Sequence, residues 1–255
     1  MRTTFIKRNP LPGRDTLVCE AKGLDLLELA LLETGLPSVH VPRRLEVSAD
    51  RLILEAIPRA SSTPQLESAL GLALAAVHAR KAAYFGLDHD NFIGLSPQPN
   101  GSFESWGEFF IERRLGYQIS LIMDRTVRDR LGRTLDAVRQ DFRCFLNDTC
   151  PAPSLLHGDL WGGNILYSED AAWLIDPAVY YGDSEADLAM TEMFGGFGRR
   201  FYEAYQSSRP LTQDYPLKRQ IYNCYHYLNH YNLFGSRYLD GCEQGLRAIH
   251  EAVYR

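Results

Sequence analysis

The chain has 255 residues, 45% of them apolar and 23% charged, with a formal net charge of −5. This composition is that of a globular protein and excludes general disorder, and the length allows one large domain or two lobes sharing a cleft. A net acidic chain lacks the clustered Lys and Arg that bind nucleic acid or anionic membranes, so neither partner is expected, and a phosphorylated ligand must be held by a metal or a few cations.

In chain order, TTFIKR (residues 3–8) reads as a strand rich in β-branched and aromatic residues. A helix is predicted over 15–33, where Leu17, Leu24, Leu27 and Leu31 recur near helical spacing before Gly35 and Pro37 close it. LILEA (52–56) reads as a second strand and IPRASSTP (57–64) as a linker. Further helices are predicted over 65–80, 105–122, 126–147, 216–234 and 237–254, from apolar residues at three- and four-residue intervals. Between them SLLHGD, GNILYS and AAWLID are short strands around turns, the last two joined in a hairpin through Glu169 and Asp170. The expected architecture is α+β, with a small β/α lobe over 1–57 and a mainly helical lobe over 58–255.

The five cysteines, Cys19, Cys144, Cys150, Cys224 and Cys242, show no CxxC spacing, so neither a zinc cluster nor a disulfide framework is indicated. With no apolar core in MRTTFIKRNP and no long apolar run, reduced thiols in the cytoplasm are expected.

The chemistry concentrates in HGDLWGGNILYSEDAAWLID, residues 157–176. Asp159 leaves a strand into a Gly-Gly turn, Asn164 stands at the exit of that turn, and Asp176 ends the next hairpin before Pro177. Phosphoryl transfer needs this order: a carboxylate to orient and deprotonate the acceptor hydroxyl, then an amide oxygen and a second carboxylate to hold Mg²⁺ on nucleotide phosphates. A polar turn with Asx capping is the alternative for the bare D-x₄-N spacing. His157 and Asp187 read as groups that hold the loop by hydrogen bonds, and Tyr222, Tyr225, Tyr227 and Tyr231 as a core or wall stripe on one helix.

HGDLWGGN together with LIDPAVYYGDSEADLAMTEMFGGF resembles the fructosamine kinase, or ketosamine-3-kinase, family, which belongs with the aminoglycoside phosphotransferase-like, protein-kinase-like folds. FGLDHDNFIGLSPQPN (85–100), WGEFFIERRLGYQ (106–118) and LNHYNLFGSRYL (228–239) share the likeness, which spans nearly the whole chain. The resemblance implies Asp159 as catalytic base, Asn164 and Asp176 as the metal pair for Mg²⁺, and Trp161 beside the substrate; packing beneath the loop is the other reading of that tryptophan. It also implies that Lys7 pairs with Glu20 to meet the phosphates of ATP, and that the backbone of Glu55, Ala56 and Ile57 meets adenine. The implied activity is ATP-dependent phosphorylation of the sugar 3-hydroxyl of a small or protein-bound ketosamine. A kinase of aminoglycosides, choline or thiamine shares HGDxxxxN, and an inactive nucleotide- or sugar-binding protein could keep the cleft. The kinase-like small lobe ordinarily opens with a glycine-loop hairpin, yet six residues precede Lys7. The expectation is therefore a truncated lobe, weak ATP binding and an exposed first strand.

Overall fold

TFIKR forms β1 (Thr4–Arg8) in the computed structural model, which describes residues 3–150 and 152–254. The first helix, α1 (Thr16–Leu32), buries Leu17, Leu24, Leu27 and Leu31 and ends where Gly35 takes φ 69°, a left-handed turn open to glycine. Next come β2 (Val39–His40), β3 (Arg44–Val47) and β4 (Arg51–Glu55). β1, β4 and β3 form an antiparallel sheet in that order, with Lys7 opposite Leu52. β1 is an edge, and Phe5 and Ile6 on it are 54% and 53% exposed.

The 57–64 segment is pinned in one place by the Ala60 amide, which donates to the Tyr167 carbonyl at 2.7 Å. α2 (Pro64–Ala79) follows, started by Thr63, whose hydroxyl accepts from the Leu66 amide, and by Pro64 in its first turn. The stretch from 85 to 103 contains β5 (Phe85–Leu87), β6 (Asn91–Ile93), β7 (Ser96–Gln98) and β8 (Gly101–Phe103). The helix predicted over 105–122 is divided: α3 (Trp106–Phe109), a π-helical stretch (Phe110–Gly116) and α4 (Tyr117–Ser120). The wider turn carries Arg114 into the interior, where it is fully buried and donates to the Pro99 carbonyl and Asn100 Oδ1, both at 2.8 Å. Its guanidinium lies 4.0 Å from the Tyr180 ring centre and 4.5 Å from that of Phe109.

α5 (Arg125–Thr149) is capped by Asp124 and buries Val127, Leu131, Leu135, Val138, Phe142 and Leu146 along one stripe. After β9 (Ser154–Leu156), β10 (Ile165–Tyr167) and β11 (Ala172–Leu174) form the expected hairpin, and β12 (Tyr180–Gly182) pairs with β9 and β5. β11 also pairs in parallel with β2, so a sheet joins residues 39–40 to the hairpin. Two helices were not anticipated, α6 (Ser184–Met193) and α7 (Arg199–Ser208). α6 is buried on every side from Ser184 to Thr191, so it carries no amphipathic period, and α7 buries only Phe201 and Tyr205. α8 (Tyr215–Phe234) and α9 (Leu239–Val253) end the described chain.

A buried ion network fastens α8 to α6. Lys218 Nζ is 2.5 Å from Asp183 Oδ2 and 2.6 Å from Glu185 Oε2, and it donates to the Thr149 carbonyl at 3.1 Å. Asp183 also caps α6 through the Glu185 amide and accepts from the Tyr222 hydroxyl, which itself accepts from the Trp106 indole. Burial works against the ammonium, but the two carboxylates outweigh it and hold the Lys218 pKa above the usual lysine value. Removing the cation leaves two buried carboxylates with their hydrogen bonds but without a counter-charge, so Lys218→Met is expected to cost roughly 3–5 kcal/mol in urea unfolding. A loss below about 1 kcal/mol would show that the network does not hold these helices together.

Candidate active site

Two turns meet at the site. Gly158 has φ 81°, and a Cβ there would lie 2.1 Å from the Ala178 carbonyl oxygen, so only glycine lets residues 157–159 rest on 177–179. Asp187 on α6 holds the first turn, with Oδ2 accepting from the His157 amide at 2.7 Å and Oδ1 from the Gly158 amide at 2.9 Å. Burial would raise the Asp187 pKa, but the hydrogen bond and charge of His78, with His157 and the Gly158 amide, keep it below the ordinary value. Burial pulls the His157 imidazole below its usual pKa. Its Nε2 lies 3.0 Å from the Ile175 carbonyl and its Nδ1 3.3 Å from the Asp159 amide, so the tautomer that satisfies both carries its proton on Nε2. The His157 carbonyl also accepts from the Ala178 amide at 2.8 Å. His157 thus grips the chain on both sides of Asp176, the structural role expected of it.

Asp159 stands half-buried at the end of this turn. Asn164 Nδ2 donates to its carbonyl at 2.8 Å and to Oδ2 at 3.0 Å. Burial pushes the Asp159 carboxyl up to about 7; the Asn164 bond opposes this, and the charges of Asp176 and Asp187 add to it. With Nδ2 engaged, Asn164 Oδ1 has no protein donor among the described residues. Asp176 takes φ 54°, the one left-handed non-glycine among the described residues. Its Oδ1 lies 2.6 Å from Lys7 Nζ, which is 2.7 Å from Glu20 Oε1. Burial pulls the Lys7 pKa down, but Glu20 and Asp176 more than compensate; burial pushes Glu20 up against the pull of Lys7.

These side chains surround two cavities. One, of about 480 Å³, is lined by Lys7, Glu20, Asn164 and Asp176, with Phe5 and Ile6 from β1. The other, of about 460 Å³, is lined by Phe194, His226, Asn229, His230 and Phe234 among others. Asp159 and Trp161 line both, and Trp161 is 39% exposed, so it is not packed away beneath the loop. Glu55 lies on a third cavity, of about 440 Å³, which shares no lining residue with these two. The amides of Glu55 and Ala56 already donate to the carbonyls of Arg43 and Thr3, and Ile57 lines none of the three cavities. The structure therefore brings together Lys7, Glu20, Asp159, Trp161, Asn164 and Asp176, but not the 55–57 segment. His226, Asn229 and His230 were missed; the sequence signal for them is their spacing on one face of α8.

The described residues hold no group of three or more His, Cys, Asp or Glu able to bind a metal. The oxygens of Asn164 and Asp176 instead suit a hard cation that completes its shell with phosphate and water, as Mg²⁺ does.

The family model for fructosamine kinase matches residues 1–252. A protein of Synechocystis sp. described as a ketoamine kinase is 38% identical over 95% of this chain and 81% of its own length. The chloroplastic protein-ribulosamine 3-kinase of Arabidopsis thaliana is 38% identical over 92% of this chain and 72% of its own. A solved fructosamine-3-kinase structure from Thermobifida fusca superposes with a TM-score of 0.82 at 30% identity, covering 98% of this chain and 86% of that one. At the level of fold alone, the choline kinase LicA of Streptococcus pneumoniae is also similar, at 15% identity and a TM-score of 0.62 over 98% of this chain and 87% of that one.

The raised Asp159 carboxyl carries a stability consequence. Its pKa stands near 7 when folded against an ordinary 3.8, so between those values the folded state binds more protons than the unfolded one. Stability attributable to this group is present below about pH 4 and is lost as pH rises through about 7. Asp159→Asn removes the penalty while keeping an oxygen for Asn164. It is expected to exceed the parent chain in stability by ~1 kcal/mol or more at pH 8, the gap closing toward pH 4, in urea unfolding at each pH. A variant less stable than the parent at pH 8 would contradict this.

Proposed function

We infer, for a chain that belongs to the fructosamine kinase family, that it transfers the γ-phosphoryl group of ATP to the sugar 3-hydroxyl of a ketosamine. The observation that carries the reading is the position of Asp159 between two cavities, one whose lining includes Lys7, Glu20, Asn164 and Asp176, the other lined by aromatic and imidazole groups among others. In this reading residues 1–57 are the nucleotide-holding lobe and 58–255 the lobe that carries the catalytic turns.

Asp159 acts as general base. A carboxyl poised near 7 accepts a hydroxyl proton more readily than an ordinary aspartate, and Asn164 fixes which of its oxygens is turned away. Lys7, held by Glu20, meets the phosphates. Mg²⁺, when bound, neutralises developing charge on the transferred phosphoryl group, and Asn164 and Asp176 are the residues that would hold it. Adenine is assigned to residues 55–57 at the end of β4, where the Glu55 and Ala56 amides are already bonded and the Ile57 amide is the backbone donor left for it. Trp161 offers its ring to the sugar. The substrate is a small or protein-bound ketosamine, and the site of action is the cytoplasm, where the five unpaired cysteines stay reduced. Among the described residues no helix is long and apolar enough to cross a membrane.

The second cavity also speaks to substrate class. Asp159 is its one carboxylate among the described residues, so a polycationic aminoglycoside finds little opposing charge there. Phosphate release from ATP should therefore be coupled to fructosyl- or ribosyl-amines and not to kanamycin. A coupled assay that responded to the aminoglycoside alone would overturn the ketosamine reading. Asp159→Asn should lower turnover about 10²-fold or more with ATP affinity largely kept; near-normal turnover would remove Asp159 from the role of base.

A further inference from the structure

The DNFIGLSPQPN stretch (90–100) contributes no charged or nucleophilic group to the chemistry, yet three of its amides are buried: Asn91 at 4%, Gln98 at 1% and Asn100 at 2% exposure. They form a connected set. Gln98 Nε2 donates to Asn91 Oδ1 at 2.8 Å and to the Ala178 carbonyl at 3.0 Å, while its Oε1 accepts from the Tyr225 hydroxyl at 2.8 Å. Asn91 Nδ2 donates to the Val179 carbonyl at 2.8 Å. Asn100 Nδ2 donates to Asn91 Oδ1 at 2.9 Å, and its Oδ1 accepts from the buried Arg114. Both carbonyls so gripped belong to the turn that follows Asp176 and Pro177.

That turn needs holding. Asp176 is left-handed, a conformation that aspartate tolerates better than most residues but that still costs free energy unless its surroundings hold it. On its N-terminal side, the Ile175 amide donates to the Asn164 carbonyl and the Ile175 carbonyl accepts from His157. On its C-terminal side the Ala178 amide donates to the His157 carbonyl, and the Ala178 carbonyl lies against Gly158. The remaining side-chain restraints on this side come from Gln98 and Asn91.

We propose that Gln98, supported by Asn91, is a positioning residue for the metal ligand, fixing the Ala178–Val179 carbonyls and through them the left-handed turn that aims the Asp176 carboxylate. The proposal rests on the reading of Asp176 as a Mg²⁺ ligand given above. Tyr225 has a different place in the set: it donates to Gln98 but touches neither carbonyl. Losing its hydroxyl leaves the Gln98 and Asn91 bonds to residues 178 and 179 in place.

The test is ATP titration of the full chain by calorimetry, with and without Mg²⁺, joined to steady-state kinetics. Gln98→Leu keeps the bulk and removes the donor. It is expected to leave ATP affinity without metal unchanged, to reduce the Mg²⁺-dependent gain about 10-fold, and to lower kcat with the KM for ketosamine within about twofold. Tyr225→Phe should keep the Mg²⁺-dependent gain. Asn91→Ser, which removes the donor to Val179, should lose part of it and serves where Gln98→Leu does not fold. A Mg²⁺-dependent gain equal to that of the parent chain in Gln98→Leu, or in Asn91→Ser where that variant stands in, overturns the proposal, as does equal loss with and without metal. A parent chain with no Mg²⁺-dependent gain overturns the reading of Asp176 as well.

Discussion

The site depends on the contact between residues 157–159 and 175–179. Neither segment is regular secondary structure, so their relative position comes from side chains and from glycine. Gly158 permits the approach to Ala178, His157 bonds to the chain before and after Asp176, and Asp187 fixes the amides of His157 and Gly158 from α6. Displacing either segment would move Asp159 away from Asp176, because both are carried by this one contact. The aspartates are therefore placed by buried, satisfied hydrogen bonds, which are costly to leave unmade.

Charge in the site is arranged by the same rule of compensation. Lys7 lies between Glu20 and Asp176, while Asp187 is paired to His78 and to two amides. Among the described residues the Asp159 carboxylate accepts only from Asn164, and its pKa rises to about 7. The environment separates the carboxylates: one fully bonded, one paired to a lysine, and one left under-compensated, the condition that the proposed base would need. The last arrangement costs stability in the free protein at pH values above the raised pKa.

The residues that line the candidate site come from short strings: Asp159, Asn164 and Asp176 from an order around one turn that suits phosphoryl transfer, Lys7 and Glu20 only from the family resemblance, since a lysine on an edge strand has a plainer reading of its own. The long amphipathic helices were legible for an equally direct reason, the apolar stripe of α5 being the plainest case. α6 escaped because burial on all sides erases periodicity, and the three-residue strands from 85 to 103 are too short to show alternation. The π-helical turn at Arg114 has no local signature; only the buried cation, held by Asn100 and aromatic rings, shows why it is there. The 55–57 segment was the least accessible, since the partners of its amides, Arg43 and Thr3, are set by sheet registry.

The two halves of the site come from distant parts of the chain, and the sheets explain how they stay matched. Lys7 enters on β1, an edge strand whose only strand partner among the described residues is β4, and reaches Asp176 across 169 positions of sequence. β11, which leads into Asp176, pairs with β2, and the chain just beyond β4 is tied to Tyr167 of β10 through Ala60. The hairpin that delivers the aspartate is thus bonded through β11 to the segment that precedes β3 and through Tyr167 of β10 to the segment that follows β4. A shift of the first sheet would have to break these backbone bonds before it separated Lys7 from Asp176. The ion pair is consequently the end point of a bonded frame, and its short distance follows from registry more than from the attraction of two charges, which at a partly exposed position is modest.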